Sequence, residues 1–246
     1  IEQWKSERGY DKPLLCNARA QGTSRLTETI FFEKSVRLFV FDFGQADDKR
    51  DIAHEIRTRM WPSLAIALPV FLVGIAVNIT FALFMAFFRA SYIDFWGVVL
   101  CVAMMSISTL FYIISGQFFA SKLWRLVPIS GYDGGLDAAR FVILPVLIGV
   151  VSGIGSGARW YRTVFLEEIG KDYVRTARAK GLAETTVLFR HVLKNGMIPI
   201  LTGAVAQIPL LFLGSLLAES FFGIPGLGSY TIDAIGSQDF AVVRSM

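Results

Sequence analysis

With 54% hydrophobic and only 18% charged residues over 246 positions, and a mean hydropathy of +0.53, the chain is too apolar for a soluble domain, where about 25% of residues are charged. Its net charge of +4 and pI near 9.1 fit the basic bias of loops on the inner side of a membrane better than a nucleic-acid surface. Cys16 falls in a polar segment and Cys101 in an apolar run, so no disulfide framework is implied, and His54 and His191 stand too far apart to found a metal site.

In chain order, Ile1–Arg59 comes first, polar and nearly neutral, with eleven Lys/Arg against ten Asp/Glu. It reads as an extracytoplasmic segment. Stretches free of Asp, Glu, Lys and Arg follow at Met60–Phe88, Phe95–Ser121, Phe141–Ala158 and Asn195–Ala218. A helix needs roughly 20 apolar residues to cross ~30 Å of hydrocarbon. The third stretch, at 18, reaches that length by extending past Arg140 or Arg159, whose side chains can snorkel. Lipid offers no partner to an open strand. The predicted fold class is therefore all-α, a polytopic helical membrane protein with four spans in a transmembrane domain at 60–240. Pro69, Pro145 and Pro209 are candidate kinks. Residues 241–246 read as the start of another helix, and the expectation is one more helix beyond each end of the chain.

Basic residues in short loops set the orientation. Arg159–Lys194 carries eight Lys/Arg and Arg89–Asp94 one, against three in Lys122–Arg140 and none in Glu219–Phe240. Alternation across four spans places the first two segments on the cytoplasmic side.

The loop 159–196 is the polar interruption in an apolar chain. Leu166, Ile169, Tyr173 and Ala177 recur at helical spacing as one apolar stripe, with Lys171, Arg175, Arg178 and Lys180 on the other faces. Gly181 fits the left-handed position that ends a helix. A second apolar pattern, Val187, Leu188, His191 and Val192, is closed by Asn195-Gly196, with Pro199 in the first turn of the next span. Ala183 lacks a capping oxygen, a role that Glu184 and Thr185 can partly serve. Two short helices meeting at a glycine present a basic elbow. Such an elbow either docks in a partner's groove or lies on anionic lipid.

Catalytic motifs are missing from the sequence. Gly170-Lys171 is followed by Asp172 and lacks the upstream glycine of a phosphate-binding loop. There is no nucleophile elbow, zinc-protease helix or repeat of 20–50 residues. The chain is read as a non-enzyme with no catalytic, cofactor-binding or metal-binding residues.

The loop resembles the cytoplasmic "EAA" loop of ABC-transporter permeases that work with a binding protein. Aligned on Gly181, the Glu-Ala-Ala positions hold Arg175, Thr176 and Ala177, while His191, Leu193 and Lys194 stand where the general pattern has Ile, Leu and Pro. The stretches DYVRTARAKGL and RHVLKNGMIP resemble the dipeptide/oligopeptide branch, where Arg-Thr-Ala replaces Glu-Ala-Ala. The segment ESFFGIPGLGSYTIDAIGSQDFAVV, Glu219–Val243, is similar to the one that follows the fifth helix in that branch. GYDKPL (Gly9–Leu14) and FDFGQ (Phe41–Gln45) match its outer segment more weakly.

The resemblance implies an importer permease in the bacterial cytoplasmic (inner) membrane, its spans here being helices two to five of six. It implies a second permease subunit, a paralogue, as partner, with two ABC ATPases and an extracytoplasmic solute-binding protein. ATP and Mg would be bound by the ATPases. The coupling element would comprise Tyr173, Arg175, Thr176, Ala177, Arg178, Lys180, Gly181 and Leu182. Peptides are the first substrate; nickel complexes, glutathione and peptide-like antibiotics are alternatives that related permeases serve.

Within the spans, Gly149, Gly153 and Gly157 form a ridge of small residues at spacing four, read as helix packing. Asn78, Gln117 and Gln207 are candidate pathway-lining groups, with interhelical hydrogen bonding as the competing reading for each. Glu219, at the outer end of a span, is expected to snorkel or to be paired. An ion-coupled secondary transporter would carry intramembrane acids and broken helices in inverted repeats, which the sequence does not display.

Overall fold

The computed structural model describes residues 12–15, 17, 27, 29–36, 42–132 and 138–246. Gly9–Asp11, Cys16 and Phe41, on which part of the outer-segment reading falls, lie outside the described residues. Among the described residues there is no β-strand, only an isolated bridge between Gln45 and Asp51.

The fold is a set of helices. Helix α1 spans Ile52–Phe87, its start held by Asp51, whose carboxylate accepts the Ala53 N–H at 3.0 Å. After a turn through Ala90, at φ +60, α2 runs Tyr92–Ser106 and α3 Thr109–Gly116, the latter prolonged by a wide π-helical turn to Leu123. Helix α4 spans Ala138–Ile169, α5 Asp172–Ala179 and α6 Glu184–Leu211. Then come α7, Leu216–Phe222, α8, Leu227–Gly236, and α9, Phe240–Ser245.

Four spanning helices were expected; two are found as single helices. Helices α1 and α4 are long and apolar enough to cross a membrane, α4 running through both Arg140 and Arg159. The other two expected spans are bent pairs, α2 with α3 at 88° and α6 with α7 at 52°, so four crossings arise only if each pair is one span. Local polar chemistry explains the first bend. Ser106 Oγ donates to the Val102 carbonyl and Ser108 Oγ accepts the Phe111 N–H, while Ile107 between them is extended. Serines so placed give the backbone partners that a straight helix would not use. Tyr112 completes the corner by donating its hydroxyl to the Met104 carbonyl at 3.0 Å. At the second bend Gly214 is left-handed, φ +72, and Ser215 caps α7 through the Ala218 N–H.

Two further expectations change. The stripe from Leu166 to Ala177 does not lie on one helix: the chain breaks at Gly170-Lys171 between α4 and α5, although Ile169 and Ala177 share one core. Nor does Asn195-Gly196 close a helix. Helix α6 passes straight through it, because Asn195 Nδ2 returns to the His191 carbonyl and Gly196 is buried against Phe165.

The chain divides into two compact units, Arg59–Tyr230 on one hand and Ile1–Thr58 with Thr231–Met246 on the other. In the second of these Asp239 caps α9 and also accepts the Asp47 N–H at 2.8 Å. The larger unit holds two main cores. One joins α1, α4, α5 and α6 around Phe165, Val174, Val187 and Val192; the other joins α1, α3, α4 and α7 around Ile113, Ile148 and Phe222.

Candidate functional site

The elbow is built from α5, the Gly181 turn and the start of α6. Helix α5 ends in a Schellman motif: the Leu182 N–H reaches the Ala177 carbonyl and the Gly181 N–H that of Arg178, with Gly181 at φ +77. A Cβ at Gly181 would meet nothing within 4 Å, so the glycine is required there by its backbone angle. Across the turn the Arg178 guanidinium donates to both oxygens of Glu184, at 3.0 and 2.6 Å. Glu184 therefore clamps the elbow rather than capping the second helix at Ala183, where no side-chain cap bond forms.

The residues singled out in the loop divide by face. Val174 and Ala177, the latter 4% exposed, pack inward on Phe165 and Val192. Arg175, Thr176, Lys180, Gly181 and Leu182 are exposed, and Tyr173 and Arg178 are half-buried. Ala177 thus anchors the elbow on its own chain. Sequence reasoning missed Phe189, a 58% exposed aromatic on the first turns of α6; the one signal for it was a large apolar residue outside the predicted stripe. It also missed the network at the base. Buried Glu168 accepts from Lys171 Nζ and from the Tyr173 hydroxyl, both at 2.5 Å. Burial, and then that carboxylate, push Tyr173 up to about 12.

A second tie holds the short turn before α2 to α4. Asp94, buried, takes two hydrogen bonds at 2.8 Å from Arg162 and one from the Ala90 N–H. The two-pronged geometry fits guanidinium to carboxylate in a fixed orientation.

Between α1, α4 and α6 lies a cavity of about 550 Å³. Asn78 and Gln207 line it. Gln117 does not; its amide donates to the Ile129 and Phe221 carbonyls. Gly149, Gly153 and Gly157 also line it, in different ways. A Cβ would fall 2.8 Å from Val70 at Gly149 and 2.5 Å from the Asn78 amide at Gly157, whereas at Gly153 it would meet nothing within 4 Å. The outer two let α1 approach α4; the middle one opens on the cavity.

At one end of the cavity stands Glu219, only 1% exposed. It does not snorkel, and among the described residues it forms no ion pair. Its carboxylate accepts the N–H groups of Ser215, Gly228 and Ser229 at 2.9, 2.6 and 3.2 Å. Ser63 Oγ accepts the Leu227 N–H at 2.8 Å. The first N–H groups of α8, which no helical carbonyl can satisfy, are thus taken by two side chains.

The molecule thus carries a polar elbow on a bundle of apolar helices, with a glycine turn at φ +77 between the two arms. Residues 58–245 match the family described as binding-protein-dependent transport system inner membrane component. The chain belongs to this family. As such a permease it is 36% identical over 164 residues to the di/tripeptide transport system permease protein DppB of Pseudomonas aeruginosa, covering 62% of this chain and 48% of that protein. A Brucella suis permease assigned provisionally to peptide transport is 32% identical, over 84% of this chain and 68% of its own length. The glutathione transport system permease protein GsiC of Salmonella typhimurium is 30% identical, over 83% and 66%. The permease described here therefore spans between about half and two thirds of the length of these relatives.

Proposed function

We propose that this chain is the membrane-spanning permease subunit of an ATP-driven importer of dipeptides and oligopeptides in the bacterial cytoplasmic membrane. It forms the translocation pathway with a second permease. A solute-binding protein delivers cargo outside, and two ATPases dock on the elbow inside, binding ATP and Mg and performing the hydrolysis. The peptide names of the relatives support the substrate class.

The observation that carries the reading is the construction of the elbow. Its inner face is fixed to Phe165 through Val174 and Ala177, while its outer face offers Arg175, Lys180 and Leu182. A surface that is exposed yet rigidly backed suits transmission of force from a docked partner. Because α6 is continuous from Glu184 into the apolar bundle, closure of the ATPases would move a membrane helix directly.

The test uses the full-length protein expressed with its partner subunits. Lys180→Glu together with Leu182→Asp changes the exposed face and leaves the inner one intact. The expected result is loss of ATPase co-purification with the permease still folded. Retained ATPases and normal peptide-stimulated hydrolysis would instead make the elbow a lipid-facing segment.

A further inference from the structure

We propose that Tyr173 is a positioning residue of the elbow: its hydroxyl, held by Glu168, is a catch that keeps α5 against α4 in the resting permease and opens when the elbow is displaced. The inference rests on the reading above, in which ATPases dock on the elbow, and names the contact that their closure must break.

Three contacts join three helices in a closed figure. Glu168, at the end of α4, accepts the Tyr173 hydroxyl of α5 at 2.5 Å. Arg178, at the other end of α5, is bound to Glu184 at the start of α6. Gly196 of α6 is seated on Phe165 of α4, three residues before Glu168. A figure of three stiff sides cannot change shape while all its corners are closed. Displacing the elbow relative to α4 therefore requires one corner to give.

Chemistry selects the corner. The Arg178 pair is two-pronged and fixed in orientation, and it spans a turn already closed by backbone hydrogen bonds. The Gly196 contact is apolar packing, which is non-directional and tolerates tilt. Tyr173 supplies a single bond from a neutral donor. Glu168 is 7% exposed, and a buried carboxylate stripped of its partners is costly. It keeps one partner, however, when Tyr173 leaves, because the Lys171 ammonium is bound to its other oxygen at 2.5 Å. Lys171 precedes the first turn of α5, its side chain 55% exposed and free of any capping bond, so it can stay with Glu168 while α5 moves. Opening the catch leaves no buried charge unpaired. The Asn195 side chain of α6 stands beside the same hydroxyl, which places Tyr173 where all three helices converge.

A bond made in the resting form alone biases the equilibrium toward that form. Removing it releases the elbow without cargo, so ATP hydrolysis escapes control by the delivered peptide. Loss of a purely structural support has the opposite sign and slows hydrolysis.

The full-length permease is assembled with its second permease, ATPases and binding protein in lipid nanodiscs, and tri-alanine is the probe. A native complex that retains no ATPases, or whose hydrolysis tri-alanine does not stimulate, would sink the importer reading itself. With stimulation present, Tyr173→Phe, which keeps the ring, is expected to raise hydrolysis without tri-alanine about fivefold, the effect of one hydrogen bond on such an equilibrium, and to shrink the stimulation accordingly. Unchanged or slower hydrolysis in this variant overturns the catch. Glu168→Leu should give the same rise, and the two changes together no more than either alone, because both remove one bond; additive rises overturn the pairing. Amide exchange at Val174–Ala179 gives a readout apart from activity. In the native complex it should increase when ATP and loaded binding protein are added, and in Tyr173→Phe it should be raised already without them. Exchange indifferent to ATP in the native complex would show that the contact never opens, and would overturn the proposal.

Discussion

Arg178 and Glu184 face each other across the Gly181 turn and are joined by two hydrogen bonds, so the last turn of α5 and the first of α6 are held as one corner. Their side chains are 31% and 48% exposed, which limits the pair to about 0.5–1 kcal/mol. Arg178→Ala is expected to leave the chain folded and to raise amide hydrogen exchange at Leu182–Val187 by roughly two- to fivefold. The charge-swapped pair Arg178→Glu with Glu184→Arg should recover much of the protection. Unchanged exchange in the single variant would show that the turn holds without the clamp.

Gly181 makes a different prediction, because its constraint is the backbone alone. A non-glycine residue in the left-handed region costs about 1–2 kcal/mol, and asparagine less. The order of thermal stability in detergent should be Gly, then Asn, then Ala, with Val lowest. Alanine matching glycine would mean that the turn relaxes to another conformation.

Around Glu219 the constraint is space. A Cβ on Gly226 would lie 2.2 Å from the Glu219 carboxylate and 2.5 Å from Ser63 Oγ. Gly226→Ala is expected to cost about 2–3 kcal/mol by forcing that cap apart. Gly236→Ala, where a Cβ meets nothing within 4 Å, should fall within about 1 kcal/mol of the parent. Melting temperatures of the purified proteins decide the matter, and similar values for the two variants would remove the role given to the cap.

The hydroxyl of Tyr173 supplies a pH prediction. A free tyrosine ionises near ~10, while in the folded chain burial and the Glu168 carboxylate raise Tyr173 to about 12. Its contribution is thus fully present below about pH 10 and lost as the pH rises through about 12. Tyr173→Phe should flatten the fall of stability across that window, seen as the difference between the two melting-temperature profiles. Parallel profiles would show that the hydroxyl does not donate to Glu168.

Helical class and the apolar stretches were legible because charge-free runs of that length have few stable alternatives in lipid. The bends were not. Ser106 and Ser108 act through bonds to their own backbone, a competition that hydropathy does not register. Gly196 misled because a glycine beside asparagine reads as a helix stop, while its contact with Phe165 depends on a helix far away in sequence. Glu219 was unreadable for the same reason. Its carboxylate organises a cap together with Ser63, and no local pattern links those two positions.

Gly196 has a mechanical consequence. Its bare Cα seats α6 on the Phe165 ring, where a Cβ would come within 2.9 Å, and the helix extends on both sides of that contact. The arms, from Glu184 to Gly196 and from Gly196 to Leu211, are about 18 and 22 Å long. A rod pivoting there is a lever with its fulcrum near the middle. A displacement at the elbow would reappear at the Gly214 bend with similar size and opposite sense, where it meets the buried Glu219 cap.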